Sequence, residues 1–360
     1  MNVPVKSPTL RPHRVLLGLL VLGVLWGCAP VARGTVAISP PSSLMAPLAG
    51  GPSGLILAGD GYGLPARVWQ APVRQPPLSQ AGGAPRAVII GVHGFNDYSN
   101  AFALPGPWFA EHGITTYAYD QRGFGRTPDA GRWPGTDRLV ADLRSVVAAV
   151  RARHPGVPIT LLGESMGAAV IITAMSGAKP LVVDGIVLAG PAVWGWSTLP
   201  LLPRASLWLA DQIMPWQTLS PPRGFRVQAS DNIAVLRGLG RDPLVIKETR
   251  TDAVYGLTDL METAWQGAGR VRVPTLLLYG RRDELIPPEP VATISRRLAP
   301  VARQVVYPAG WHMLLRDLQR ELVWRDIAAW TLDHGAPLPS GEERLPGTGF
   351  GGDGSIAAGP

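Results

Sequence analysis

ITLLGESMGAAV, residues 159–170, begins as an apolar run and ends in small residues that suit a helix, with a serine at the joint between two glycines. Ile159 to Leu162 suit a strand buried on both faces, and AAVIITAM from Ala168 suits a packed helix. Gly163-Glu164-Ser165-Met166-Gly167 fits G-x-S-x-G, a tight strand-to-helix turn that holds the serine up at the edge of a sheet. Glycine is needed on either side because a Cβ there would collide with the neighbouring strand or helix. The helix that follows points its N-terminus at the serine and so favours negative charge developing there. A chain with 43 glycines can produce such a motif by accident, so its weight rests on the surrounding pattern.

That pattern is α/β. With 46% hydrophobic and 16% charged residues in 360, the chain can bury a sizeable core. Eight short apolar runs alternate with helical patterns: GLILAGDG, LPARVWQAP, RAVIIGVHG, TTYAYD, PITLLGES, GIVLAGPA, PTLLLYG and RQVVYP. The alternation predicts an eight-stranded, mostly parallel sheet with helices on both faces. Between two of the runs, Leu139, Leu143, Val146, Val147 and Val150 recur at helical spacing, with Thr136 as a candidate N-cap. From about 193 to 271 the strands give way to short helical pieces broken by Pro and Gly, which reads as a helical cap over the sheet's carboxyl edge. Its first half, with Leu199, Leu201, Leu202, Leu207, Trp208, Leu209, Ile213, Met214 and Trp216, must bury itself against the sheet, a ligand or a membrane. As a group these residues suggest an acyl-chain pocket.

The ends read differently. Lys6, Arg11, His13 and Arg14 precede VLLGLLVLGVLWG, the layout of a secretory leader over residues 1–27. LWGC resembles the lipobox of bacterial lipoproteins, which implies cleavage before Cys28, its lipidation, and a place in the cell envelope anchored to a membrane and facing the periplasm. Residues 28–53, rich in Pro, Ala, Gly and Ser, read as a flexible tether. The α/β pattern spans 54–335, and 336–360 read as a disordered tail. Cys28 is the only cysteine, which excludes an internal disulfide and a thiolate metal cluster. The net charge of +7 falls to +4 without the leader's three basic residues (7 − 3), and the remaining arginines are scattered. That argues against nucleic acid as a partner and leaves weak attraction to anionic lipid. No metal or cofactor is called for.

A serine hydroxyl needs a base to take its proton, and the base needs an acid to orient it. In this kind of fold the chain order is Ser, acid, His. Downstream of Ser165 only His312 and His334 are available. His312, in YPAGWHMLL after the last run, can swing over the serine, whereas His334 ends a C-terminal helix and suits a solvated or capping role. The acid belongs just after the preceding run, where LLLYGRRDELIP offers Asp283, favoured, and Glu284 beside it. The oxyanion hole is expected from the backbone N–H groups of Met166 and of Phe95 in VHGFNDYSN. His93 in that loop precedes the serine and reads as a brace.

VHGFNDYSN, YAYDQRGFGRT, LLGESMGAA, IVLAGPAV, PTLLLYGRRDELIP and GWHMLLRD together resemble the α/β-hydrolase superfamily. Within it they are similar to the monoacylglycerol lipase and lysophospholipase group, classed with the S33 serine aminopeptidases. RDPLVIKETRTDAVYGLTDLMETA resembles that group's cap. The resemblance covers about 54–333 and implies Ser165 as nucleophile, Asp283 as acid, His312 as base, the Phe95 and Met166 amides as oxyanion hole, and a lipid-type acyl ester as substrate. Two alternatives stay open: a peptidase holding a substrate amine on Glu248, Asp252, Asp259 or Glu262, and a non-catalytic envelope lipoprotein that uses the fold for binding.

Overall fold

The computed structural model describes residues 54–72, 84–219 and 227–350. The leader, Cys28, the tether and residues 351–360 lie outside the described residues.

The runs read from the sequence become β1 (Gly54–Leu57), β2 (Gly63–Trp69), β3 (Ala87–Val92), β4 (Ile114–Tyr119), β5 (Ile159–Glu164) and β6 (Gly185–Ala189). Two-residue strands β7 (Thr218–Leu219) and β8 (Thr249–Arg250) pair with each other, and β9 (Thr275–Gly280), β10 (Ala302–Tyr307) and β11 (Glu343–Arg344) follow. The main sheet runs β1-β2-β4-β3-β5-β6-β9-β10-β11. From β4 to β10 all pairs are parallel, while β1, β2 and β11 add antiparallel edges. This is an α/β-hydrolase sheet with one strand more than expected.

Alternation along the strands feeds two cores. Val88, Ile90 and Val92 of β3 face a cluster with the stripe that the sequence placed on a helix at Leu139, Leu143 and Val146. Ala87 and Ile89 face another, with Phe109, Ile327 and Trp330. The helices are α1 (Pro105–Glu111), α2 (Thr136–Arg153), α3 (Met166–Ser176), α4 (Leu201–Ile213), α5 (Ile233–Arg241), α6 (Thr251–Gly267), α7 (Pro288–Leu298) and α8 (Arg320–Leu332). The β3, β4, β5 and β6 residues are buried throughout, each large side chain contributing about 1.5–3 kcal/mol.

Three expectations are corrected. Thr136 is the first residue of α2 and caps nothing; Gly135 stands ahead of it at φ 92, a conformation that glycine adopts without strain. The tail is placed as far as Phe350: β11 pairs with β10, Arg303 forks onto Glu343, and Phe350 packs 5.3 Å from the Tyr279 ring. These partners lie far away in sequence, so the local Gly- and Pro-rich composition does not announce them. The third concerns the cap, α4 to α6 between β6 and β9. Leu207 of α4 is buried and α6 packs along α3, but Leu201, Leu202, Trp208, Leu209, Ile213 and Trp216 are exposed. The first half of the cap therefore turns most of its apolar side chains outward, away from any acyl pocket, with Leu199 the exception that lines the cavity under the cap.

Candidate active site

Ser165 sits at φ 55, ψ −116 between β5 and α3, a backbone region that non-glycine residues rarely occupy. Close packing enforces the turn. A Cβ on Gly167 would overlap the Val92 carbonyl oxygen, and one on Gly163 would press on the backbone of Ala168. The Ser165 N–H donates to the Ala189 carbonyl at 2.9 Å, which fixes the turn to β6. The side chain is thereby lifted into a cavity of about 400 Å³ between sheet and cap, within the range of small-molecule sites.

Asp283, on the loop after β9, is oriented from both sides. Its Oδ1 accepts the N–H groups of Leu285 and Ile286 at 2.8 and 2.9 Å, while Oδ2 lies 2.7 Å from Nδ1 of His312. Glu284 points elsewhere and accepts the Gln228 N–H. His312 is buried after β10. Burial works against its charged form, but the charge and hydrogen bond of Asp283, helped by Glu164, more than offset this and raise its pKa above the ordinary value. Ser165 and His312 line the same cavity, with no direct hydrogen bond between them among the described residues. Such contacts commonly tighten only when substrate arrives. His334 is elsewhere, its ring against Trp330.

Met166 opens α3 and Phe95 follows Gly94, where a Cβ would come within 3.3 Å of the Ser165 Cβ. Neither amide donates to another group among the described residues. His93 braces this loop: the Gln121 N–H donates to its Nε2 at 2.9 Å, which leaves Nδ1 to donate to the Gly94 carbonyl at 2.7 Å. Burial lowers its pKa, as befits a neutral brace. Asn96, at φ 62, ties the loop to the cap through Thr249 and Ile246.

The cavity wall is apolar and comes largely from residues the sequence reading passed over. Val254, Leu257 and Met261 of α6 recur at helical spacing, which was the available signal, and Trp194, Leu285 and Ile286 join them together with Leu199, which the sequence reading had named. The floor is charged. Arg316 is buried and donates to Asp97 at 2.7 Å and to Glu164 at 2.6 Å. Burial pushes the Glu164 carboxyl up, with Arg316 pulling it back. Asp317 is pushed up to about 6 by burial, while it accepts from Ser230 at 2.6 Å and from the Trp311 N–H at 2.8 Å.

Comparison with known proteins agrees with the geometry. Residues 83–319 match the family described as Serine aminopeptidase, S33. A monoacylglycerol lipase from Mycolicibacterium smegmatis is 26% identical over 69% of this chain and 89% of its own length. A monoglyceride lipase from Mus musculus is 25% identical over 69% of this chain and 83% of its own. Among solved structures, a monoacylglycerol lipase from Paleococcus ferrophilus covers 76% of this chain and 99% of its own, at TM-score 0.61 and 22% identity. Strand order, strained serine and family match converge: the chain belongs to the S33 serine aminopeptidase family of α/β-hydrolases.

Proposed function

We propose that this protein is a serine esterase that hydrolyses lipid-type carboxylic esters, monoacylglycerols or lysophospholipids, through an acyl-enzyme. The observation that carries the reading is the 2.7 Å Asp283–His312 pair, buried beside a strained serine in an apolar cavity. His312 takes the Ser165 proton as the oxygen attacks the ester carbonyl, and the amides of Phe95 and Met166 hold the resulting oxyanion. The intermediate collapses with cleavage of the acyl C–O bond, and the imidazolium protonates the leaving alcohol. Water, deprotonated by the same histidine, attacks the acyl-enzyme; the acid leaves and Ser165 recovers its proton. Asp283 stays ionised and holds the tautomer with Nδ1–H towards itself.

The lipases named above support an acyl substrate, as does the apolar wall. Each buried methylene contributes about 0.8 kcal/mol, about fourfold in preference per carbon. The peptidase alternative fares worse. Asp252 is held by Arg250, Asp259 by Trp196 and Glu262 by Ser197, and neither these nor Glu248 lines the cavity. The exposed apolar face of α4, with Trp216 beside it, suits work at a lipid surface. We place the protein in the bacterial envelope, anchored through Cys28.

The test is fluorophosphonate labelling of wild type and Ser165→Ala, followed by rates on p-nitrophenyl esters of increasing length, a monoacylglycerol and proline p-nitroanilide. Labelling lost in Ser165→Ala and efficiency rising with acyl length support the proposal. Preference for the anilide would favour the peptidase, and a wild type that does not label would favour a binding protein. Palmitate incorporation that is lost in Cys28→Ser tests the anchor.

A further inference from the structure

Glu164 ends β5 one residue before Ser165, buried at the floor of the cavity that also holds His312. Its Oε2 accepts from Arg316, while Oε1 has no hydrogen-bond partner among the described residues. Arg316 is shared with Asp97, so one guanidinium is set against two carboxylates. A buried carboxylate with an orphan oxygen is costly to keep. A neutral glutamine would satisfy the same Arg316 contact, so packing alone does not call for a charge here.

We propose that Glu164 is a positioning residue of the esterase, whose carboxylate, ion-paired with Arg316 at 2.6 Å, joins Asp283 in favouring the imidazolium that His312 becomes during acyl transfer. The inference rests on the reading of Ser165 and His312 as nucleophile and base. In both halves of that reaction the buried imidazole takes up a proton, and nearby charges act more strongly on a buried group than on an exposed one. The groups facing it are Asp283 from the loop after β9, Glu164 from β5, and Arg316 from its own loop. Arg316 opposes the imidazolium, and Asp97 tempers that opposition from the far side of the guanidinium. The raised pKa of His312 runs in the direction this arrangement requires, against burial.

The rival is that Glu164 merely anchors Arg316, and pH profiles separate the two. The rate constant kcat/KM for p-nitrophenyl octanoate is measured in the full chain from about pH 5 to about pH 9, where its acid limb reports the free enzyme's base. Glu164→Gln and Glu164→Ala are two neutral replacements; thermal melting identifies one that folds, and either suffices. The expected result is an acid limb at lower pH than wild type, so that at about pH 5.5 the neutral variant keeps about threefold more of its own plateau. The plateau itself should fall about tenfold, the scale of one lost charge contact in the transition state. Glu164→Asp, which keeps the charge, should keep the limb where wild type has it. A neutral variant whose limb superimposes on wild type, or an aspartate variant that moves with the neutral ones, overturns the proposal. A wild type that neither labels with fluorophosphonate nor turns over the ester overturns the underlying assignment of Ser165 and His312 instead.

Discussion

Replacing Asp283 with asparagine is the most demanding test of the site, because the loop around it decides which way the new amide must face. Two backbone donors, the Leu285 and Ile286 N–H groups, converge on Oδ1 at 2.8 and 2.9 Å, whereas a single ring nitrogen meets Oδ2. The amide therefore keeps its oxygen on the two backbone donors and turns its NH₂ towards Nδ1 of His312. That nitrogen must then accept, so the ring proton moves to Nε2, on the side that should receive the Ser165 proton. The base is present and correctly placed, yet in the wrong tautomer. The loss expected in kcat/KM is about 10⁴-fold, the scale seen when a triad carboxylate becomes an amide elsewhere. At 1.36 kcal/mol per decade this is about 5.4 kcal/mol of transition-state stabilisation. The substituted amide keeps the shape of the loop, so the melting temperature should move by only a few degrees. The assay is hydrolysis of p-nitrophenyl octanoate at about pH 8, with melting followed in parallel. A loss below about tenfold in a protein that melts normally would refute the assignment of Asp283 as the orienting acid.

Other expectations follow from the same geometry. Because Asp283 and Glu164 raise the pKa of His312, the neutral base is lost as pH falls, and the acid limb of kcat/KM should lie above about pH 6.5, the ordinary histidine value; a limb below it contradicts the charge balance described. Asp317 has the opposite consequence for stability: its carboxyl, pushed up to about 6, holds its proton better folded than unfolded, so its contribution declines between about pH 4 and pH 6. Wild type should lose melting temperature across that window relative to Asp317→Asn, and parallel curves would count against it. Leu257→Trp should fill the apolar wall and shift the optimum acyl length downward while short esters react within about threefold of wild type, as read from the ester series. Gly167→Ala should abolish labelling and soluble expression, since its Cβ would overlap the Val92 carbonyl, and a soluble, labelled variant would refute the packing argument.

How far the sequence could be read depended on the range of the forces involved. The central strands β3, β6 and β9 were legible because each is a mostly apolar run, and the turn at Ser165 because its glycines lie two residues away on either side. The Asp97–Arg316–Glu164 cluster was not: its members are 219 and 152 residues apart, and each sits inside a motif already read for another reason. β11 was hidden by composition, because Gly341, Gly347 and Gly349 suggest disorder while the ordering contacts come from Arg303 and Gln304 on β10. For α4 the apolar content was read correctly but its direction was not, since only tertiary packing decides which stripe of a helix turns inward. His312 and Asp283, by contrast, were singled out by chain order together with their loops just after apolar strands, and those loops bring them within 2.7 Å.

The returning C-terminal segment links the sheet's outer margin to catalysis. Phe350 lies against Tyr279, and the Tyr279 hydroxyl donates to the Ile286 carbonyl, three residues beyond Asp283. Cutting the chain after Gly335 would remove that aromatic support and expose the hydrogen-bonding groups of β10 to any passing strand. Shortened forms made to discard an apparently dispensable end would then suffer self-association together with a slackened acid loop, two faults with a common origin fifteen residues outside the domain boundary suggested by composition.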